Sequence, residues 1–73
     1  MLRIEKNGVA FTLANDGETL VSTKLVLGKV CRIITIIDGT TAEFSKRVTK
    51  IASMSDDEFF LFSSIQDEHQ KEN

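Results

Sequence analysis

Apolar and polar residues alternate with a period of two near the start of the chain, which is the pattern of half-buried β-strands. Residues 2–6 and residues 9–14 both show it, with β-branched and aromatic side chains on one side of the second segment. Asn7-Gly8 lies between the two segments, and Asn-Gly favours the positive φ angles of a tight hairpin turn. The pattern therefore predicts an antiparallel β-hairpin over residues 2–14.

Two further segments, residues 18–27 and residues 30–37, also have the composition of strands. The second, "VCRIITII", is the most apolar stretch of the chain and is rich in β-branched side chains, which lose rotamer freedom in a helix. Apart from Arg32 and Thr35, both of its faces are apolar. This favours a central strand, or a strand whose outer face is covered by a helix or a second subunit.

The hydrophobic period changes after Asp38-Gly39 and predicts a helix over residues 41–53. Thr40 and Glu43 have the spacing of a capping box, in which each side chain bonds the other residue's backbone N–H. A single apolar stripe follows at helical spacing, made of Phe44, Val48, Ile51 and Ala52.

The last segment is open to two interpretations. Ser55 and Glu58 form a second capping-box pattern, but "FFLF" at residues 59–62 suits a strand as well. The cap and the polar continuation favour a helix. A helix would place Leu61, Phe62 and Ile65 together and leave Phe60 on the polar side. Residues 69–73 are expected to be a frayed acidic tail.

Together these elements predict an α+β fold: an antiparallel three- to four-stranded β-meander, followed by one or two C-terminal helices packed on one face. The 73 residues suffice for a single small domain, 1–73. The composition, 41% hydrophobic and 27% charged, argues against wholesale disorder.

Residues that carry catalytic chemistry are scarce, and we expect a non-enzyme without cofactor or metal. One cysteine and one histidine cannot make a zinc site of the usual kind. Cys31 and His69 could be paired as nucleophile and base, but Cys31 lies in the most apolar strand and His69 in the expected tail. A single cysteine fits a reducing, cytoplasmic setting, and no apolar run approaches the roughly 20 residues that a membrane helix needs.

Charge is distributed unevenly along the chain. Residues 1–50 contain eight Lys/Arg against five Asp/Glu, whereas residues 51–73 contain one Lys against six Asp/Glu. Lys46, Arg47 and Lys50 form a basic cluster on one side of the predicted helix. Such a cluster can contact phosphates or an acidic partner, or it can be the solvated side of a helix in which Glu43 pairs with Arg47. Without Tyr or Trp the chain has few platforms for base stacking.

A surplus of apolar side chains beside acidic residues indicates a protein interface. The leading hypothesis is a non-catalytic protein-interaction module, a small regulator or inhibitor of a larger protein complex, such as those found in phages and mobile elements. We expect homo-oligomers, because so short a chain cannot cover both "VCRIITII" and "FFLF". The alternative is a small nucleic-acid-binding regulator that uses the basic helix face, and an enzyme site formed between subunits is a third. The candidate partner-binding residues are Lys46, Arg47, Lys50, Phe59 and Phe60.

Overall fold

The computed structural model describes residues 2–71, with the side chains of residues 2–66. In this range four antiparallel strands form one open sheet in the order β1-β2-β3-β4, and two helices follow. The elements are β1 (Leu2–Lys6), β2 (Val9–Leu13), β3 (Thr19–Val26), β4 (Lys29–Ile36), α1 (Thr41–Ala52) and α2 (Asp56–Lys71). The predicted α+β arrangement of a meander followed by C-terminal helices is confirmed.

The turn between β1 and β2 is the predicted Asn-Gly hairpin. Asn7 has φ 52° and Gly8 has φ 79°, so both central residues are left-handed, as a type I′ turn requires. The Asn7 side-chain amide also donates a hydrogen bond to the carbonyl oxygen of Ala52, at 3.2 Å. The turn is thereby tied to the end of α1.

β4 is an edge strand of the sheet. Its residues pair only with β3, in a register that runs from Val26 opposite Lys29 to Thr19 opposite Ile36. The interpretation of "VCRIITII" as a central strand is therefore wrong. Apolar residues on both faces do not determine where a strand lies in a sheet, because strand order depends on the connections rather than on local composition.

One core lies between the sheet and the two helices. Side chains from one face of the sheet pack with side chains from α1 and with Phe59 of α2, and all of them are almost inaccessible to solvent. The core consists of Val9, Phe11, Leu20, Val26, Cys31, Ile33, Val48, Ile51, Ala52 and Phe59. The opposite face of the sheet takes no part in this core.

The start of α1 shows only half of the predicted capping box. The Thr40 hydroxyl accepts a hydrogen bond from the Glu43 backbone N–H at 3.2 Å. The Glu43 carboxylate does not return to Thr40 but accepts from Arg47 at 2.9 Å. Asp38 takes its place, since it accepts from the Thr40 backbone N–H at 2.9 Å.

The start of α2 shows both halves of its capping box. The Glu58 N–H donates to the Ser55 hydroxyl at 3.2 Å, and the Ser55 N–H donates to the Glu58 carboxylate at 3.1 Å. Residues 59–62 are accordingly helical, as the cap predicted. The helix backbone continues to Lys71. The side chains of residues 69–73 lie outside the described range, so the expected fraying of this tail stays a prediction.

Two exposed aspartates, Asp16 and Asp38, accept hydrogen bonds within loops at the same end of the sheet. The loss of folding stability at acidic pH therefore tests these contacts. Hydrogen bonds from the Glu18 N–H, the Thr19 hydroxyl and the Thr19 N–H lower the pKa of Asp16 below 3.8. Hydrogen bonds from the N–H and the hydroxyl of Thr40 do the same for the pKa of Asp38. Because the folded pKa is depressed, the stability from these bonds is present above the unfolded value and is lost as the pH falls through the folded pKa.

We therefore expect the urea midpoint to fall between about pH 5 and about pH 2, in part through these two groups. In the double variant Asp16→Asn/Asp38→Asn the amide oxygens can still accept from the backbone N–H groups, although the bond from the Thr19 hydroxyl to the second oxygen of Asp16 is lost. Neither asparagine titrates, so the midpoint should start lower but fall less over this interval. A fall equal to that of the wild type would contradict the assignment.

Candidate interaction surface

On the face of the sheet turned away from the core, the part formed by β3 and β4 is largely apolar, although no other described residue covers it. Antiparallel sheets with one face in water usually place polar side chains on that face. Here β3 and β4 place aliphatic side chains there instead, and Ile36 is 69% exposed. The aliphatic residues of this outer face are Val21, Leu25, Val30, Ile34 and Ile36.

Leu27 lies in the turn between β3 and β4, in a backbone conformation that leucine rarely adopts. Leu27 and Gly28 have φ 51° and 78°, almost the same angles as Asn7 and Gly8 in the first hairpin. The left-handed conformation costs an L-residue with a bulky side chain roughly 1–2 kcal/mol, whereas asparagine and glycine tolerate it. The Leu27 side chain gains no burial in return, because it is 95% exposed.

Leu25 and Val30 are cross-strand partners directly behind this turn, and both are exposed. We define the hairpin tip as Leu25, Leu27 and Val30. The sequence pattern predicts a strand at Leu27 and does not indicate a binding role for it. The available signal was a Leu-Gly pair at a position where the first hairpin has Asn-Gly.

The two phenylalanines selected from the sequence have different environments. Phe59 is 0% exposed and belongs to the core, so its side chain is not on the surface of the folded protomer. Phe60 is 38% exposed. Leu61, Phe62 and Ile65 lie together on α2 as the sequence indicated, and all three are largely exposed.

Gln66 of α2 closes part of the free edge of β4. Its side-chain oxygen accepts from the Ile34 backbone N–H at 2.9 Å, and its side-chain nitrogen donates to the Ile34 carbonyl oxygen at 3.1 Å. The amide thus replaces the backbone groups of a neighbouring strand. This contact holds α2 beside β4 and next to the outer face of the sheet.

The basic cluster is only partly available to a partner. Lys46 and Lys50 are exposed, one turn apart on α1, opposite the buried Val48. Arg47 is half-buried, and its guanidinium is paired with Glu43 at 2.9 Å. The structure therefore leaves two exposed cations here, with the third paired with Glu43 on the same helix.

Lys24 connects the sheet to the start of α2. Its side chain is 15% exposed, its ammonium lies 2.6 Å from the Asp56 carboxylate, and it lies 6.0 Å from the centre of the Phe59 ring. The Asp56 carboxylate, at the first residue of α2, also suits the positive end of the helix dipole. The arrangement fixes the position of α2 and has the character of a structural contact.

Cys31 and Ser22 are both buried in the sheet. Cys31 is buried in the core, and the Ser22 hydroxyl, which lacks a hydrogen-bond partner among the described residues, lies between Phe11 and Ile33 in the sheet. The side chain of His69 is outside the described residues. Within residues 2–66, neither Cys31 nor Ser22 is hydrogen-bonded to the side chain of a His, Asp or Glu.

An open groove of ≈ 320 Å³ lies between the end of the sheet and the first turn of α1. Leu2, Leu13, Ile37 and Phe44 supply its apolar walls, and threonine, serine and glycine complete it. None of its lining residues is titratable, so the groove contains no group suited to proton transfer. Within the described residues no cluster of His, Cys, Asp and Glu has the arrangement of a metal site.

Across residues 2–71, neither helix combines the length and the apolar character needed to cross a bilayer. Comparison of the chain with protein-family models, with curated proteins and with solved structures gives no match.

Proposed function

We propose that the protein is a non-catalytic protein-interaction module, a small regulator or inhibitor that binds a larger protein through the hairpin tip. One observation carries the proposal: Leu27 is held in a strained left-handed conformation with its side chain 95% exposed. Strained backbone at an exposed position is typical of functional sites, because the surrounding structure must maintain it. Folding alone would favour asparagine at this position.

The surroundings of the hairpin tip suit a protein partner. Leu25 and Val30 extend the apolar contact area on the same face, while Lys29 and Arg32 are exposed beside it. An apolar centre with a charged rim is the usual composition of a protein interface. The basic rim favours a partner whose apolar pocket is bordered by carboxylates.

The variant Leu27→Asn distinguishes the effect of Leu27 on the free energy of unfolding from its effect on partner binding. The variant restores the side chain that the same turn has in the first hairpin, so we expect unfolding to cost about 1 kcal/mol more than in the wild type. Urea denaturation measures this gain. Partner binding should weaken at least tenfold at the same time, because the central apolar contact is lost.

Photo-crosslinking in a cell lysate measures the binding. A photoreactive residue in place of Lys29 should give a discrete protein adduct, and the adduct should be lost when Leu27→Asn is added and kept after nuclease treatment. A photoreactive residue in place of Thr49, which is exposed on α1, is the control position. Leu2→Asn changes an exposed leucine at the opposite end of the sheet and should leave the adduct intact. A more stable Leu27→Asn protein with an unchanged adduct would contradict the proposal.

A nucleic-acid-binding regulator is the alternative, and the basic cluster tests it. Lys46→Glu/Arg47→Glu/Lys50→Glu should remain folded, because these residues lie opposite the buried stripe and the lost Glu43–Arg47 pair contributes only about 0.3–0.5 kcal/mol. We expect the triple variant to keep the protein adduct at Lys29. Loss of a nuclease-sensitive complex, with an affinity in the wild type that falls steeply with salt, would favour the alternative.

The proposal includes self-association and a reducing, cytoplasmic setting. The uncovered outer face of the sheet and the exposed residues of α2 support the first, and the single buried cysteine supports the second.

A further inference from the structure

A second apolar surface lies where α2 passes the edge of β4, away from the hairpin tip. Ile34 and Ile36 are four and six residues beyond Val30 on the same face of the strand, a separation of about 13–20 Å. Gln66 is bonded to the backbone of Ile34 and therefore places α2 directly beside these two side chains. The outer face of β4 and the side of α2 form one continuous surface.

The helical geometry shows which side chains of α2 adjoin β4. Successive residues of an α-helix are about 100° apart, so the order round this helix is Ser63, Gln66, Phe62, Ile65, Leu61. Ser63 is buried and Gln66 contacts the strand edge, so the exposed side chains begin where the strand contact ends. We define the self-association patch as Ile34, Ile36, Leu61, Phe62 and Ile65.

The size of the self-association patch matches what a small dimer requires. Each of its side chains is between 41% and 69% exposed. At roughly 150–200 Å² for a fully exposed large side chain, they present about 500 Å² of apolar surface. A standard interface buries about 800 Å² per partner, and about 65% of it is apolar in homodimers. The apolar area of the patch, about 500 Å², is therefore close to the apolar area on one side of a homodimer interface of standard size.

The patch also has two unlike parts that complement each other. The strand part is flat and lies next to the exposed cation Arg32, whereas the helix part is a ridge with the exposed carboxylates Asp57 and Glu58 one turn before it. Contacts across a two-fold axis are reciprocal, so a two-fold dimer that places the strand part of one protomer on the helix part of its partner makes this contact twice. Ridge then lies on flat surface, and opposite charges lie on the two sides.

We propose that a second copy of this chain covers the self-association patch, with α2 of each protomer packed against the outer face of β4 in its partner. This inference assigns a location and a symmetry to self-association and is independent of the hairpin tip. The tips stay accessible in the dimer, so that one assembly presents two partner-binding sites.

Sedimentation equilibrium of the full chain tests the proposal. The wild type should have about twice the 8.2 kDa chain mass at about 100 µM. Ile36→Glu alters the strand part and Ile65→Lys alters the helix part, and each variant alone should return the mass to that of the monomer. Leu25→Glu changes a residue of similar exposure on the same sheet face and should remain dimeric. Ile36→Thr keeps a β-branched side chain in the strand and replaces Ile36→Glu in this test if Ile36→Glu does not fold.

Mixing the two monomeric variants tests the reciprocal arrangement. A mixed pair of Ile36→Glu and Ile65→Lys has one intact contact and one in which glutamate faces lysine, so an equimolar mixture should recover the dimer mass. A wild type that is monomeric at about 100 µM overturns the proposal. An Ile65→Lys variant that stays dimeric overturns it as well, since the two sheets would then pack without α2. Either result leaves the Leu27 crosslinking result unaffected, so the two proposals fail separately.

Discussion

Replacing Phe59 with alanine is expected to destabilise the protein by about 3–5 kcal/mol, the largest effect of any single substitution considered. Phe59 is the only described side chain of α2 that is apolar and fully buried, and it packs into the core shared by the sheet and α1. Its removal leaves a cavity that the surrounding strands cannot close. Because small domains are only marginally stable, urea denaturation should show a protein that is partly or wholly unfolded in buffer.

Phe60→Ala is the matched control for this prediction. Phe60 is the next residue on the same helix and carries the same side chain, but it is 38% exposed. We expect its replacement to cost less than half as much. Equal losses from the two substitutions would mean that α2 is rotated about its axis relative to the sheet.

Replacing Asp56 with asparagine should destabilise the protein more than replacing Lys24 with methionine. Asp56→Asn leaves the mostly buried Lys24 ammonium without its carboxylate, and the cost should be about 1–2 kcal/mol after allowance for the exposure of Asp56. Lys24→Met removes the buried charge itself and keeps an unbranched side chain against Phe59. The change in unfolding free energy should then stay within about 1 kcal/mol.

The free energies of unfolding of both single variants and of the double variant complete a double-mutant cycle. Asp56→Asn should cost much less when Lys24 is already methionine. If Asp56→Asn costs the same in both backgrounds, the ion pair contributes nothing and the effect of Asp56 comes from the helix dipole alone.

Local sequence patterns were sufficient for the elements of this fold. Asparagine and glycine themselves tolerate the positive φ angles of the turn at Asn7-Gly8. The side chains of Ser55 and Glu58 likewise cap the start of α2 directly. Alternation with a period of two then assigns the faces of β1 and β2. Each of these signals depends on neighbours within a few residues.

The positions that the sequence did not reveal depend on tertiary contacts. β4 has the composition of a central strand but is an edge strand, because no later strand returns to pair with it. Leu61, Phe62 and Ile65 share one side of α2 as expected, but this side is exposed. The buried side of the helix contains Phe59 and Ser63. The rotation of α2 is set by the Gln66 and Lys24 contacts, which join residues that are 32 apart in the chain.

The bond between Gln66 and Ile34 also bears on how the sheet can grow. A sheet with two open edges can add strands from other molecules at both ends and so polymerise without limit. Here one amide side chain occupies an N–H and a C=O in the middle of the β4 edge, which leaves β1 as the less obstructed edge of the described sheet. Addition at one edge stops after a single pairing. Gln66 therefore obstructs strand addition at β4, and its loss should open this edge to pairing with a strand of another molecule.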